Sequence, residues 1–459
     1  MTSRRQFLVR SAAAGSALAV GLPANGGTDP IRHYPARAKN VIQLFMAGAP
    51  SALDLFEDKP VLRKHDGDLV PQHIVDEQRF AFLKGRPKLL GSPYSFRRYG
   101  AAGFEFSELL PHLAQIADKL SFIRSVHQEQ FNHGPAQVFA HTGHQLVGRP
   151  SLGSWLLYGL GSQNRDLPGF TVLVSGKIDP GAGSACWGAG FLPSHLQGVE
   201  LRTRGELVPC LQDPQGMDRS ARRRGLDLLG ELNRAQFDAV GDPSILERTE
   251  SYELAYRMQE SVPELARIDE EPERIHRLYG SRPGKRSFAN NCLLARRLVE
   301  RGVRCVQVIH RGWDHHGSNR TDDLMHGLPN MCRQTDRAAA ALILDLEQRG
   351  LLDDTLVVWG GEFGRTPMRE VRDLKFLGRD HNPRAFTMWF AGGGIQPGRS
   401  VGLSDDIGYD VAEHPVHLHD VHATMLHLTG IDHERLTYRY QGRDYRLTDV
   451  FGKVVGQLL

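Results

Sequence analysis

The stretch "DRAAAALILDLEQRGLLDDTLVVWGG", Asp336 to Gly361, decides the fold: a helix over Asp336–Arg349 turns into the near-continuously apolar strand "TLVVWGG". A strand apolar on both sides of its pleat is covered on both faces, as in the parallel sheets of α/β proteins. The same unit recurs outward from this point. A helix over Asn290–Arg301 leads into the strand "VRCVQVIH", and the strand "AFTMWFAGG" is followed by the helix "HDVHATMLHLTG", closed by Gly430. Nearer the amino terminus, Val41–Met46 reads as a first buried strand, Leu109–Leu120 as a helix before the strand "FIRSV", Ala136–Leu146 as a helix, and "FTVLVS" over Phe170–Ser175 as a strand. The alternation predicts an α/β fold with a mainly parallel central sheet and helices on both faces. Between about 176 and 285 the pattern changes to long charged segments such as "ILERTESYELAYRMQESV", which predict a helical insertion. The basic run Arg219–Arg224 within it reads as a solvated helix face.

With 40% apolar and 24% charged residues over 459 positions, the composition is that of a globular protein. A net charge of +3 gives no electrostatic basis for a nucleic-acid partner. The five cysteines have no C-x-x-C spacing, which excludes a zinc knuckle or a redox dithiol of that form. The 21 histidines gather in His127–His144, His310–His326 and His414–His433 beside Asp and Asn, a bias toward imidazole–oxygen metal chemistry. The opening "MTSRRQFLVRSAAAGSALAVGLPANGG" pairs Arg4 with Arg5 ahead of a short apolar run ending near Ala24. It reads as a twin-arginine export signal over residues 1–26, too short for a stable transmembrane segment. The expectation is passage through the twin-arginine machinery, a periplasmic or extracellular location and one folded domain over 38–459.

Ligands of open α/β sheets collect beyond the carboxyl ends of the strands. Five strand ends of this sequence bring metal-capable or polar groups there: Asp54 after the first strand, Asn132 and His133 after "FIRSV", Asp314, His315 and His316 in "GWDHHGSN", Glu362 and Arg365 in "GGEFGRTP", and Asp380 and His381 in "GRDHNPRAF". Mixed oxygen and nitrogen donors suit a divalent cation such as Zn, Mn or Ca, and Arg365 has the shape to grip a phosphate or sulfate oxygen. Structural alternatives exist for the same residues: Asp54 as a helix cap, a buried Glu362–Arg365 ion pair, an Asx turn at "RDHN", and a hydrogen-bonding His133. Trp313, Trp359 and Trp389 read as packing residues, and the cluster His414, His417, His419 and His422 falls outside the metal set.

The segment from Asp336 to Pro367 resembles the helix–turn–strand of sulfatases and related enzymes of the alkaline phosphatase superfamily. "GRDHNPRAFTMWFAGGGIQPG", "HLHDVHATMLHLTGI" and "NHGPAQVFAHTGHQLVGRP" resemble that superfamily's His-containing loop and strand, its late helix and its nucleophile-bearing segment. More narrowly, the export signal with "NHGPAQ", "GRPSLGSWLLYGLGS", "GWDHHG" and "GGEFGRTP" looks like the bacterial sulfatase-like family called domain of unknown function fifteen-oh-one, over nearly the whole mature chain. The resemblance implies an alkaline phosphatase-like α/β/α sandwich and metal-dependent hydrolysis of a phosphate or sulfate ester, glycan esters included. Three positions depart from the superfamily pattern. Glu362 and Phe363 stand where it has Asp-His, Ala47 and Gly48 where it has paired carboxylates, with Asp54 the nearest substitute, and His133 beside Asn132 where it has a cysteine, serine or threonine. The expected site is then one cation held by Asp314, His316, Glu362 and His381, with Asp54 as a further candidate. In it Arg365 steadies the ester oxygens and His133 attacks or moves a proton. The same departures support an alternative, a scaffold that kept the fold, lost the chemistry and binds an anionic glycan or another exported protein.

Overall fold

The computed structural model describes residues 30–76, 80–176, 181–202, 207–208, 211–213 and 215–459, so the export signal over 1–26 and Cys210 lie outside the described residues. The other four cysteines are buried free thiols. Among the described residues no helix is long and apolar enough to cross a membrane.

The elements that build the site are, in chain order, β1 (Asn40–Ala47), β2 (Ser121–His127), α1 (His133–Thr142), α2 (Leu152–Leu160), β3 (Phe170–Gly176) and β4 (Val199–Leu201). They continue with α3 (Arg219–Val240), α4 (Ser244–Ala266), α5 (Glu273–Tyr279), α6 (Phe288–Glu300), β5 (Cys305–Arg311), α7 (Gly327–Gln348) and β6 (Thr355–Gly360). Last come β7 (Gly364–Glu370), β8 (Gly378–Asn382), β9 (Phe386–Ala391) and α8 (Leu418–Leu428). The central nine-stranded sheet runs from Ser400–Val401 through β2, β9, β6, β1, β5 and β3 to β4, with Val416–His417 also paired to β2. Every pairing is parallel except those of β9, which is antiparallel to both β2 and β6. The mainly parallel sheet is therefore present, with one reversed strand.

Successive β1 side chains point to opposite faces. Ile42, Leu44 and Met46 join a core with α6 and α7, whereas Val41, Phe45 and Ala47 join a second core with α1, α2 and α8. Both faces are covered by helices. The region expected to be a helical insertion contains α3 and α4, but also β4, a strand of the main sheet. At three residues, "VEL" is too short to announce a strand by alternation. Leu109–Leu120 forms only the short helix Pro111–Gln115 and a 3-10 turn, and α7 begins at Gly327, well before Asp336.

The second core buries two neutral imidazoles. His141 contacts Gln307 at 2.6 Å, and His422 Nε2 donates to the Ala140 carbonyl at 2.8 Å. Burial, then the nearby His422, pushes His141 down to about 3, and burial pushes His422 down to about 4. Both folded values lie below the roughly 6.5 of an unfolded histidine. Their contribution to stability is thus complete above that pH and is lost as pH falls toward 4. A urea midpoint lower at pH 5 than at pH 7 is expected, with roughly 2 kcal/mol lost per histidine before the two couple. Equal midpoints would refute it.

Candidate metal centre

At the carboxyl ends of the strands, Ala47 of β1 lies opposite Arg311 of β5, and Phe45 opposite Gly360 of β6. β2 shares their direction because two antiparallel steps through β9 separate it from β6. The turn after β1 and the loop after β5 touch at Gly48, whose φ is 108° and where a Cβ would lie 2.6 Å from the Asp314 backbone nitrogen. Only glycine fits there. The β7–β8 hairpin docks as closely: a Cβ on Gly378 would collide with the His316 carbonyl carbon, and the Arg379 N–H donates to the His315 carbonyl at 3.1 Å. This docking carries His381, on β8, to His316.

Asp314 Oδ1 is the focus of the arrangement. His316 Nε2 lies 2.8 Å from it, His133 Nε2 3.1 Å and His381 Nε2 3.4 Å. One ligand atom from each of these four residues lies within 4.8 Å of every other. Each imidazole is held from behind. His133 Nδ1 is 2.6 Å from Glu362 Oε1, His381 Nδ1 is 2.6 Å from the Phe131 carbonyl, and His316 Nδ1 bonds Glu370 Oε2. A neutral imidazole that donates from Nδ1 keeps a lone pair on Nε2. Three lone pairs and a carboxylate oxygen consequently face one point, with the Nε2 atoms of His316 and His381 only 3.1 Å apart. His133 Nε2 is buried, and its contact with Asp314 is not aligned as a hydrogen bond. Such a set repels itself unless positive charge lies among its atoms. Three nitrogens and one carboxylate are a donor set suited to a borderline divalent cation.

The surrounding charges point the same way. Burial would raise the Asp314 carboxyl, but Arg365 and then the three histidines hold it well below the usual carboxylate range. Burial lowers His133, yet the carboxylates of Asp314 and Glu362 overcome this and raise it to about 9. For His381 burial wins over Asp314, and the value falls to about 4. Without a cation, His133 is the group that carries the balancing proton.

Of the expected ligands, Asp314, His316 and His381 come together, and His133, expected to attack or move protons, joins them. Glu362 stands behind His133 and accepts from Gly48 N at 2.9 Å and Gln137 Nε2 at 3.0 Å. It does not pair with Arg365. Asp54 is not part of the set: its carboxylate is fully buried and takes Arg379 Nε at 2.7 Å and Nη2 at 3.0 Å. Arg365 is buried beneath the cluster, bonded to Asp314 Oδ1, the Gly48 carbonyl, the Ala49 carbonyl at 3.0 Å and the Arg379 carbonyl at 3.2 Å. With those donors engaged, it positions Asp314 rather than reaching toward a substrate. Asn132 is exposed at the start of α1 and makes no side-chain capping bond. His315 turns toward Gly327. Asp380 lies on a strand rather than in an Asx turn, and accepts from the Phe82, Leu83 and His381 backbone N–H groups. The three tryptophans are buried, Trp359 stacking on Trp389. Of the carboxy-terminal histidines, His417 caps α8 with Asp420, and His422 bonds Ala140.

Sequence reasoning missed Glu370 and Phe82, and named Phe363 only as a departure from the superfamily pattern. Phe363 is buried with its ring 4.5 Å from that of His381 and 5.0 Å from that of His133, while Phe82 stands edge-on to both His316 and His381. A signal for Glu370 existed in the charged residue closing "GRTPMRE", but nothing in its spacing pointed to His316.

Residues 38–459 match the family described as Protein of unknown function (DUF1501). The chain belongs to that family. Comparison with curated proteins gives no match. Among solved structures it is similar to the PsFucS1 sulfatase from Pseudoalteromonas sp., at 13% identity and TM-score 0.36, over 95% of this chain and 73% of that one. It is similar to a protein in the alkaline phosphatase superfamily from Vibrio parahaemolyticus, at 11% identity and TM-score 0.34, over 94% and 76%. A third similar structure is the C-terminal periplasmic domain of EcEptC from Escherichia coli in complex with Zn, at 9% identity and TM-score 0.35, over 88% and 87%.

Proposed function

We propose that the protein is an exported, metal-dependent hydrolase of phosphate or sulfate esters, holding one divalent cation through Nε2 of His133, His316 and His381 and the carboxylate of Asp314. The observation that carries the reading is the convergence of three imidazole Nε2 atoms on Asp314 Oδ1 while every Nδ1 is engaged by an acceptor. Three nitrogens and a single carboxylate favour zinc or manganese over calcium, which prefers oxygen cages. A cation so held supplies Lewis acidity toward an ester oxygen.

The chain's own residues do the rest. Glu362 and Glu370 orient His133 and His316, and the Phe131 carbonyl orients His381. Arg365 fixes the Asp314 carboxylate, and its positive charge offsets the burial of that group. Phe363 closes the floor against water. Asn132 and the exposed rings of Phe82 and Phe131 stand at the mouth, placed to meet the ester's carrier.

Elemental analysis of protein purified without chelator, followed by a panel of aryl phosphates and sulfates, tests the reading. One equivalent of metal and chelator-sensitive turnover of one ester class are expected. Metal-free protein that ignores added Zn²⁺ and Mn²⁺ would remove it. Bound metal without turnover fits the scaffold alternative, which is favoured by Arg365 being occupied below the cluster. Glu370→Gln tests the support behind His316. It keeps the shape but loses the charge, and is expected to weaken metal affinity about 10- to 100-fold, read by competition with a chromogenic chelator.

A further inference from the structure

A cavity of about 1050 Å³ lies between α5, α6 and α7, against the last residues of β3 and β5. Gly176 and His310 form its inner wall, so it opens at the same strand-end rim as the cluster, with Asp314 only a few residues beyond β5. Its charge is one-sided. Arg277, Arg282, Arg286, Arg333 and Arg337 line it, opposed by the carboxylates of Asp269 and Glu273. Among the described residues none of the five arginines forms an ion pair. Arg337 is tied to the Leu278 and Arg277 carbonyls and Arg286 to the Val174 carbonyl at 3.1 Å, whereas Arg277, Arg282 and Arg333 donate no side-chain hydrogen bond. Arginines seldom crowd one wall without acceptors, because each repels the next.

Two further features aim at the same space. The amino-terminal residues of the 13-residue helix α6, Phe288 and Ala289, line the cavity, and their N–H groups have no partner within the helix. His310, 1% exposed, contacts Ser175 Oγ at 3.0 Å through Nδ1; with the hydroxyl donating there, Nε2 carries the ring proton and has no partner among the described residues. A guanidinium cluster, a helix amino terminus and an orphaned buried imidazole nitrogen together match an oxyanion bearing several acceptor oxygens.

We infer that this cavity is a second anionic subsite, which binds sulfate or phosphate groups of a multiply charged anion whose ester is presented to the metal centre. That the bound molecule is a substrate rests on the hydrolase reading; that the cavity selects polyanions does not. Calorimetric titration of the intact protein with sucrose octasulfate and, separately, with inorganic sulfate tests it. Octasulfate is expected to bind at least about 100-fold more tightly than inorganic sulfate, with affinity falling steeply as salt rises. The double variant Arg282→Ala/Arg333→Ala, which removes no hydrogen bond of the fold, is expected to weaken octasulfate binding at least about 10-fold. In Asp314→Asn the arginine-dependent part of octasulfate binding is expected to persist, which separates this cavity from the metal centre. Equal affinity for the two probes, or full binding by the double variant, would overturn the inference. Failure to hydrolyse any ester, with arginine-dependent octasulfate binding intact, would remove the hydrolase and leave the subsite.

Discussion

Asp314→Asn is expected to abolish the metal binding proposed above and, on the hydrolase reading, to lower kcat/KM by about three orders of magnitude or more, some 4 kcal/mol of lost transition-state stabilisation. The change is nearly isosteric, so the loops around it keep their shape. What changes is charge. Asp314 brings the only carboxylate among the four clustered residues, and its Oδ1 is the point that the three Nε2 atoms share. An amide there offers a neutral oxygen or an N–H that opposes the imidazole lone pairs. The substitution also strands Arg365, 3% exposed, whose charge then repels an incoming cation instead of fixing a ligand. Metal content by elemental analysis and hydrolysis of the best aryl ester are the two readings. Full metal occupancy in the variant would show that Asp314 is not a ligand.

The largest effect on stability is expected at Arg379→Met, about 3–5 kcal/mol of destabilisation measured by urea unfolding. Arg379 and Asp54 are both 0% exposed, and the guanidinium also donates to the Leu90 carbonyl at 2.9 Å and the Thr366 carbonyl at 3.3 Å. Burial raises the Asp54 carboxyl, and Arg379 together with hydrogen bonds more than reverses this, so the pair is held as ions. Removing the arginine leaves a buried carboxylate with Ser51 as its remaining short side-chain partner. The double variant Asp54→Leu/Arg379→Met is expected to recover part of the loss, because no orphaned charge remains. A double variant no more stable than the single one would mean that the Leu90 and Thr366 carbonyl bonds, not the ion pair, carry the effect.

The sheet was legible because its strands are apolar along their length, and apolar runs are what a sequence displays most plainly. β1, β3, β5 and β6 fall close to where "VIQLFM", "FTVLVS", "VRCVQVIH" and "TLVVWGG" predict them. Direction was less visible. β9 has the same apolar character as its neighbours, and its reversal follows from the connection after β6, which is the β7–β8 hairpin and contains no crossover helix. The β7–β8 hairpin escaped notice for a different reason. "GRTPMRE" and "GRDHN" are almost wholly buried yet carry five charged side chains and a histidine, whose burial is balanced by partners elsewhere: Asp314 for Arg365, His316 for Glu370, Asp54 for Arg379. Periodicity registers apolar burial and is silent about ionic burial. The same limit explains Asp54, whose partner is 325 positions away along the chain. His133 and Glu362 both belonged at the rim by sequence; which of them stands in front was a matter of side-chain reach.

His133, Asp314 and His381 come from three distant segments, and the glycine contacts at Gly48 and Gly378 leave no slack between those segments. A piece of the chain that lacks any one of these segments lacks one of the four clustered donors. On the proposed metal-binding role, uptake of a coloured reporter ion such as Co²⁺ is expected to track completed folding, readable in a cuvette before any substrate is known.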